Sequence, residues 1–243
     1  RAARLALEAE LASLGDLAGL VTTAVLDRLE RYVALLLDAN TRVNLTRIEG
    51  PAEVARQHLL DALVALPILD ELGPTSAVDL GSGGGVPAIP LAIARPDVHW
   101  LLVDSVARKA RALQAFADAL GLVNVAVAAR RAEDLGRDPG HRERADLVTA
   151  RACAPLPVLA ELALPFVRIG GELIAWKGPL TAGDDEVRRG RTAIGEVGGG
   201  GLRIVPAGTP SLGGHTFVRV TKLRPTPTRF PRRAGEPGRR PLG

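Results

Sequence analysis

Between Thr75 and Pro87 the chain reads TSAVDLGSGGGVP, a short β-branched run that ends at Asp79-Leu80 and opens directly into glycines. Few folds accommodate this. A strand must pass to a helix through a turn that tolerates positive φ and lets the backbone approach another molecule, and glycine permits both. The helix-like IPLAIARP follows at once, with its first N–H groups oriented at the turn. The alternation then repeats. VHWLLVDS reads as a second strand, ARKARALQAFADALGL as an amphipathic helix and NVAVAARRAED as a third strand and turn. ADLVTARAC gives a fourth strand, PLPVLAELALPFV a helix and GGELIAWKG a fifth strand. This order predicts an α/β, Rossmann-like domain, its mostly parallel twisted sheet covered by helices on both faces.

The flanks read differently. Residues 1–72 form an expected N-terminal helical extension, packed on a core domain spanning 73–222. Within it TTAVLDRLERYVALLLDAN sets Val25, Leu29, Val33 and Leu36 on one helical face, capped at Thr22 or Thr23 and ending near Asn40. Pro51 suits the first position of a second helix running to about Leu72. After Gly178, DDEVRRGRTAIGEVGGGG predicts a helix ending in a flexible glycine run, and LRIVPAG and HTFVRVTKL predict two antiparallel edge strands. Residues 223–243, rich in Pro, Gly and Arg, are expected to be extended.

Ligands of open parallel sheets bind at the carboxyl ends of the strands, so residues there are the candidates. The turn fits D-x-G-x-G-x-G at Asp79, Gly81, Gly83 and Gly85. The dinucleotide fingerprint instead needs glycine where Val86 stands. The first pattern resembles Rossmann-type methyltransferases, in which the acidic group faces the amino-acid end of a phosphate-free cofactor. Asp104 ends the second strand, where a carboxylate can accept both ribose hydroxyls, and Ser105 is expected to cap the following helix in its place. Ala132 is small enough to lie against an adenine, and Glu133 or Asp134 can accept from the adenine amino group. Arg151 closes the fourth strand, where a charge is costly to hold unpaired. Its expected partner is the cofactor carboxylate, Asp79 or Glu133. Lys177 closes the fifth strand in the same way.

With 31 Lys and Arg against 27 Asp and Glu, the net charge is +4. Basic residues gather toward the end, including Lys222, Arg224, Arg229, Arg232, Arg233, Arg239 and Arg240, a distribution that favours polyanions. No apolar run is long enough to span a bilayer, and the first residues do not read as a signal peptide. The lone Cys153 fits a reducing cytosol and reads as a small buried apolar residue. The chain has no Met, so its native start is expected to be missing.

Together these residues resemble the 16S ribosomal RNA guanine-N7 methyltransferase G family, also called glucose-inhibited division protein B. The likeness runs from Asn44-Leu45-Thr46 and His58…Asp61 through DLGSGGGVPAIPLAI, LLVDS, RAED, ARACAPL and WKG to the tail PTPTRFPRRAGEP. Ala88, Gln57 and Ala62 depart from the family's usual glycine, arginine and serine. The resemblance implies a cytoplasmic enzyme that uses S-adenosyl-L-methionine and acts on 16S ribosomal RNA or the small ribosomal subunit, with no metal and no membrane partner. It assigns the cofactor to Gly81, Val86, Asp104, Ala132, Glu133 and Arg151. It assigns RNA contact to Asn44, Arg108, Lys109, Lys177 and the tail arginines, here Arg229, Arg232 and Arg233. His58 and Asp61, one helical turn apart, are expected to bond each other. Trp176 and Phe230 are candidates to stack on the target base, with Trp176 favoured as core. The alternatives are a methyltransferase acting on another RNA or a small molecule, or a non-enzymatic RNA- or cofactor-binding module; a cytosine-C5 alternative is disfavoured because its nucleophilic cysteine usually follows proline, whereas Cys153 follows Arg151-Ala152.

Overall fold

A computed structural model describes residues 1–243. Three helices, α1 (Ala2–Leu11), α2 (Gly15–Leu20) and α3 (Thr23–Val43), lead the chain. In α3, Leu26, Leu29, Val33 and Leu36 are buried, while Val25 is half-buried. The Thr22 hydroxyl accepts the Val25 N–H at the N-terminus, and Asn44 ends the helix in the left-handed region at φ 54°. Pro51 does begin a helix, α4 (Pro51–Val54), but the expected single helix is interrupted. A π-helical stretch, Ala55–Leu60, separates α4 from α5 (Asp61–Leu63), and α6 (Leu66–Leu72) restarts before Gly73.

The core follows as β1 (Ser76–Leu80), α7 (Ala88–Ala94), β2 (His99–Val103), α8 (Ala107–Leu120) and β3 (Val125–Ala128). Next come α9 (Ala132–Leu135), β4 (Ala145–Arg151), α10 (Leu156–Ala163), β5 (Val167–Lys177) and α11 (Asp185–Glu196). The antiparallel pair is β6 (Gly199–Pro206) and β7 (Thr216–Lys222), and α12 (Glu236–Arg239) is a single turn near the end. The seven strands order as β3-β2-β1-β4-β5-β7-β6. β1 to β5 run parallel, and β7 lies antiparallel beside β5 with β6 outside it.

Two apolar clusters cover the two faces. One joins α1, α3 and the π-helical stretch to α7, α8 and the sheet through Leu29, Tyr32, Trp100 and Ile174. The other packs α10 and α11 on Val78, Val148 and Val218. No helix is long and apolar enough to cross a membrane.

One expectation for the C-terminal third fails. The glycine run is not a loop: Gly199 and Gly200 belong to β6, and a Cβ on Gly199 would stand 2.7 Å from Leu164 and 2.8 Å from Ile194. The glycines are there because the strand lies tight on α10 and α11. The last residues are mostly irregular, in keeping with their composition, and form a packed strap. Arg142 donates to the carbonyls of Thr226 and Phe230, and Phe230 is buried, so it cannot stack on a base. Lys222 is wholly buried against Glu143 and Thr226. Arg232 forks onto Glu161, whose carboxylate is 0% exposed in α10.

Candidate cofactor and acceptor site

Parallel strands bring Asp79, Asp104, Arg151 and Lys177 to one rim of the sheet. β1 is central, with Asp79 level with Leu102 on one side and Thr149 on the other. That register explains the bond from the Thr149 hydroxyl to Asp79 Oδ1 at 2.7 Å. Asp79 is 1% exposed, and its Oδ2 has no partner at all. A buried acceptor without a donor costs roughly 1–3 kcal/mol, so Oδ2 is open to a donor from outside the chain. Burial lifts the Asp79 pKa to about 6, against the opposing bond from Thr149.

Gly81, Gly83 and Gly85 all take positive φ, at 70°, 55° and 100°. At Gly81 a Cβ would also stand 3.1 Å from Cys153 Sγ, so the turn is closed to side chains from its protein side. Tyr32 donates its hydroxyl to the Gly84 carbonyl at 2.8 Å, so α3 props the turn from behind. Sequence reasoning missed Tyr32; its one signal was an aromatic inside the apolar stripe.

Three adjoining hollows line the rim. A cleft of about 230 Å³ between the ends of β1, β2 and β3 is walled by Gly81, Asp104, Arg131, Ala132 and Glu133. One of about 170 Å³ lies between the glycine turn, including Val86, and Thr46, His58 and Arg151. The largest, about 320 Å³, sits over β4 and β5 and is walled by Asp61, Arg151, Cys153, Trp176, Lys177 and His215. Gly81 is shared by the first two, Arg151 by the last two, and Cys153 by the first and third.

Several partnerships differ from expectation. Ser105 does not cap α8. Asp104 bonds there instead, Oδ1 accepting the Val106 N–H at 2.8 Å and Oδ2 the Gly83 N–H at 2.9 Å. Each oxygen retains capacity for a further donor, because a carboxylate offers about four acceptor positions. The Glu133 carboxylate accepts from Arg131 and from the Gly235 N–H of the strap, at 2.7 Å each. Arg151 pairs with neither Asp79 nor Glu133. It donates to Asp61 Oδ2 at 2.6 Å, to the Gln57 carbonyl and to His58 Nδ1 at 3.2 Å.

Consequently His58 and Asp61 make no mutual bond. Between them the wider π-helical turn rotates their side chains apart. Asp61, 2% exposed, instead takes the Arg151 guanidinium and His215 Nδ1 at 3.0 Å. Burial, then the Arg151 cation, lowers the His58 pKa to about 4.

Cys153 is exposed, not buried, because Ala152 at φ 51° turns the chain away from the sheet. Atoms crowded around the thiol, then Asp79 and Asp104, raise its pKa to about 11. It is therefore a thiol near neutral pH, unsuited to the cytosine-C5 alternative. Trp176 is core, its indole N–H donating to the Asp61 carbonyl at 2.7 Å.

The candidate RNA residues divide. Asn44, Arg108, Arg229 and Arg233 are exposed and Lys109 is half-buried, with Arg108 and Lys109 in the first turn of α8. Lys177 is engaged by Glu186 at 2.6 Å and by the Ala154 carbonyl at 2.9 Å. Arg232 is spent on Glu161. Neither is a free cation. Asn40, which sequence reasoning passed over as a helix end, orders the motif beside it: its Oδ1 accepts the Leu45 and Thr46 N–H groups at 2.7 and 2.8 Å.

The seven-stranded sheet and its glycine rim define the Rossmann-like fold of the S-adenosylmethionine-dependent methyltransferases. An O-methyltransferase from Bacillus cereus, solved with S-adenosylhomocysteine, superposes with a TM-score of 0.58 at 18% identity, covering 79% of this chain and 91% of that one. The O-methyltransferase TomG from Streptomyces achromogenes, solved with S-adenosylmethionine, gives 0.55 at 19% identity, with 79% and 90% covered. The particular family comes from sequence: residues 25–197 match the family described as GidB, rRNA small subunit methyltransferase G. The ribosomal RNA small subunit methyltransferase G of Deinococcus deserti is 44% identical over 92% of this chain and 91% of its own length. That of Roseiflexus castenholzii is 44% identical over 89% and 92%. The chain belongs to this family.

Proposed function

We propose that this chain methylates N7 of a guanine in 16S ribosomal RNA, in the cytoplasm and on the small ribosomal subunit or its RNA, with S-adenosylmethionine as donor. The observation that carries the reading is the buried, unpartnered Oδ2 of Asp79 beneath a glycine turn, in a chain of this family. Asp79 accepts from the cofactor's ammonium group. Asp104 accepts from ribose hydroxyls with its remaining lone pairs, Val86 and Ala132 flank the nucleoside, and the Gly81 and Gly83 backbone lies along it. Glu133 meets the adenine through whatever acceptor capacity Arg131 and Gly235 leave.

When bound, the cofactor supplies an electrophilic methyl on a sulfonium. Guanine N7 carries an in-plane lone pair and no proton, so no general base is needed. What the chain contributes is alignment, which can lower a barrier by roughly 7–11 kcal/mol. The hollow over β4 and β5 receives the base, and Trp176 and Asp61 form its rigid wall. N7 of a paired guanine lies in the deep groove of A-form RNA, so the target is unpaired or flipped out. Asn44, Arg108, Arg229 and Arg233 contact the phosphates around it.

Incubation with methyl-labelled S-adenosylmethionine and undermethylated small subunits, followed by mapping of the modified base, tests this reading. A label at N7 of one guanine in 16S RNA is expected, and its loss in a folded Gly81→Asp variant. Label elsewhere, or full activity in that variant, refutes the assignment.

A further inference from the structure

His215 stands just before β7, which runs antiparallel to β5 with Thr216 level with Lys177, so it reaches the same rim as the ends of β4 and β5. Its side chain is 39% exposed and lines the hollow over those strands. Nδ1 lies 3.0 Å from Asp61 Oδ1 and has no other partner. Asp61 Oδ2 holds the Arg151 guanidinium at 2.6 Å, and a carboxylate paired with arginine can only accept. Nδ1 therefore carries a ring hydrogen. In the uncharged ring Nε2 is then an acceptor, and it makes no hydrogen bond to the chain.

Most other polar groups around the hollow are occupied. Lys177 is held by Glu186 and the Ala154 carbonyl, and Arg151 by Asp61 and the Gln57 carbonyl. The Trp176 N–H is held by the Asp61 carbonyl, and the Gln57 side chain is exposed. A buried carboxylate thus fixes one imidazole, which keeps a single lone pair for a base. Guanine carries a matching donor in N1–H, on the six-membered ring away from N7. β4 and β7 lie two strand spacings apart, about 10 Å. That is room for one purine and a hydrogen bond at its edge.

Methyl transfer changes that donor. The N7 lone pair forms the new carbon–nitrogen bond, the carbon–sulfur pair stays on sulfur, and the positive charge passes to the purine. N1–H becomes more acidic, so its bond to a fixed acceptor is stronger in the transition state than before it. We propose that His215 Nε2 accepts the N1–H of the target guanine and so selects that base, with Asp61 the positioning residue that holds the ring. The hydrogen stays on N1 throughout. This deepens the function proposed above and rests on it. Adenine, whose N1 is itself an acceptor, sets two lone pairs against each other at the same place.

Single-turnover methylation of small subunits reconstituted with 16S RNA provides the test, with guanosine, inosine or 2-aminopurine riboside at the methylated position. Inosine keeps N7 and N1–H, whereas 2-aminopurine keeps N7 and lacks N1–H. The wild type should methylate guanosine and inosine at similar rates and 2-aminopurine far more slowly. His215→Ala should slow guanosine about ten- to a hundredfold at saturating enzyme, the scale of a hydrogen bond to a charged group. The half-saturating concentration should change little, and 2-aminopurine should be slowed far less. His215→Gln, whose amide oxygen reaches the place of Nε2, should recover part of the rate. His215→Asn keeps a donor for Asp61 without that acceptor, and is read like the alanine variant if the latter loses calorimetric affinity for S-adenosylmethionine. Equal slowing of all three substrates would make His215 merely structural and overturn the proposal. So would an unslowed guanosine reaction, or a wild type that rejects inosine as strongly as 2-aminopurine. A wild type that methylates no guanosine at N7 would instead overturn the function on which the proposal rests.

Discussion

Replacing Asp79 with asparagine removes one charge from beneath the glycine turn and keeps an oxygen for the Thr149 hydroxyl, which bonds Oδ1 at 2.7 Å. The wild-type carboxyl is raised to about 6 by burial, whereas in the unfolded chain it titrates near 3.9. Between these values the folded chain holds a proton that the unfolded chain has released, so stability falls as pH rises through the window. Above it the penalty is constant, at roughly 3 kcal/mol. Asparagine carries no such penalty. In the absence of cofactor, Asp79→Asn should exceed the wild type by about 2–3 kcal/mol at pH 8, and by far less near pH 4. For a chain of this size that is a rise of about 4–12 °C in Tm. Thermal and urea unfolding at pH 4, 6 and 8 measure it. The same variant should lose S-adenosylmethionine affinity, because its amide offers the ammonium no negative charge. A variant no more stable than the wild type at pH 8, or equally stabilised at every pH, would refute the reasoning.

Arg232→Ala should cost about 2–4 kcal/mol, since it leaves the buried Glu161 carboxylate with only the residue-232 N–H. Urea unfolding should separate it from Arg233→Ala, which should be neutral in stability. In RNA binding the order reverses: Arg233→Ala or Arg108→Ala should flatten the slope of log affinity against log salt by about one each. His58 must stay neutral in the fold, with a pKa near 4 against an ordinary 6.5. Its contribution to stability is present above about pH 6.5 and lost as pH falls toward 4, so proton uptake on unfolding in that range should shrink in His58→Gln. Gly81→Ala must place a Cβ at φ 70° and 3.1 Å from Cys153 Sγ. It should destabilise by about 1–2 kcal/mol, a deficit that thermal unfolding of Gly81→Ala/Cys153→Ala should recover only in part.

The parallel sheet was legible because each of its strands is a short apolar run bounded by glycine, proline or charge, and the rim residues followed from strand ends. Asp79 and the turn glycines needed only local sequence. Partners were harder. Arg151 ends its strand as expected, yet its carboxylate comes from Asp61, 90 positions earlier, across a π-helical stretch that no apolar periodicity announces. The strap misled for a different reason. Arg229, Arg232 and Arg233 look alike in sequence, but Glu161 lies under Arg232 alone, and which arginine a buried acid selects depends on tertiary packing. Glycines near Gly199 read as a flexible run because composition does not distinguish a loose loop from a strand pressed against helices.

The strap's hold on Glu133 has a consequence for genetics. Gly235 donates its N–H to the same carboxylate oxygen that Arg131 binds, beside Ala132 in the cleft proposed for the nucleoside. A selection for strains lacking the modified base would collect lesions at Arg232 and Gly235 alongside lesions at Arg233. All fall in one basic stretch and would share a phenotype, yet some would be cured by excess donor and others only by excess ribosomes.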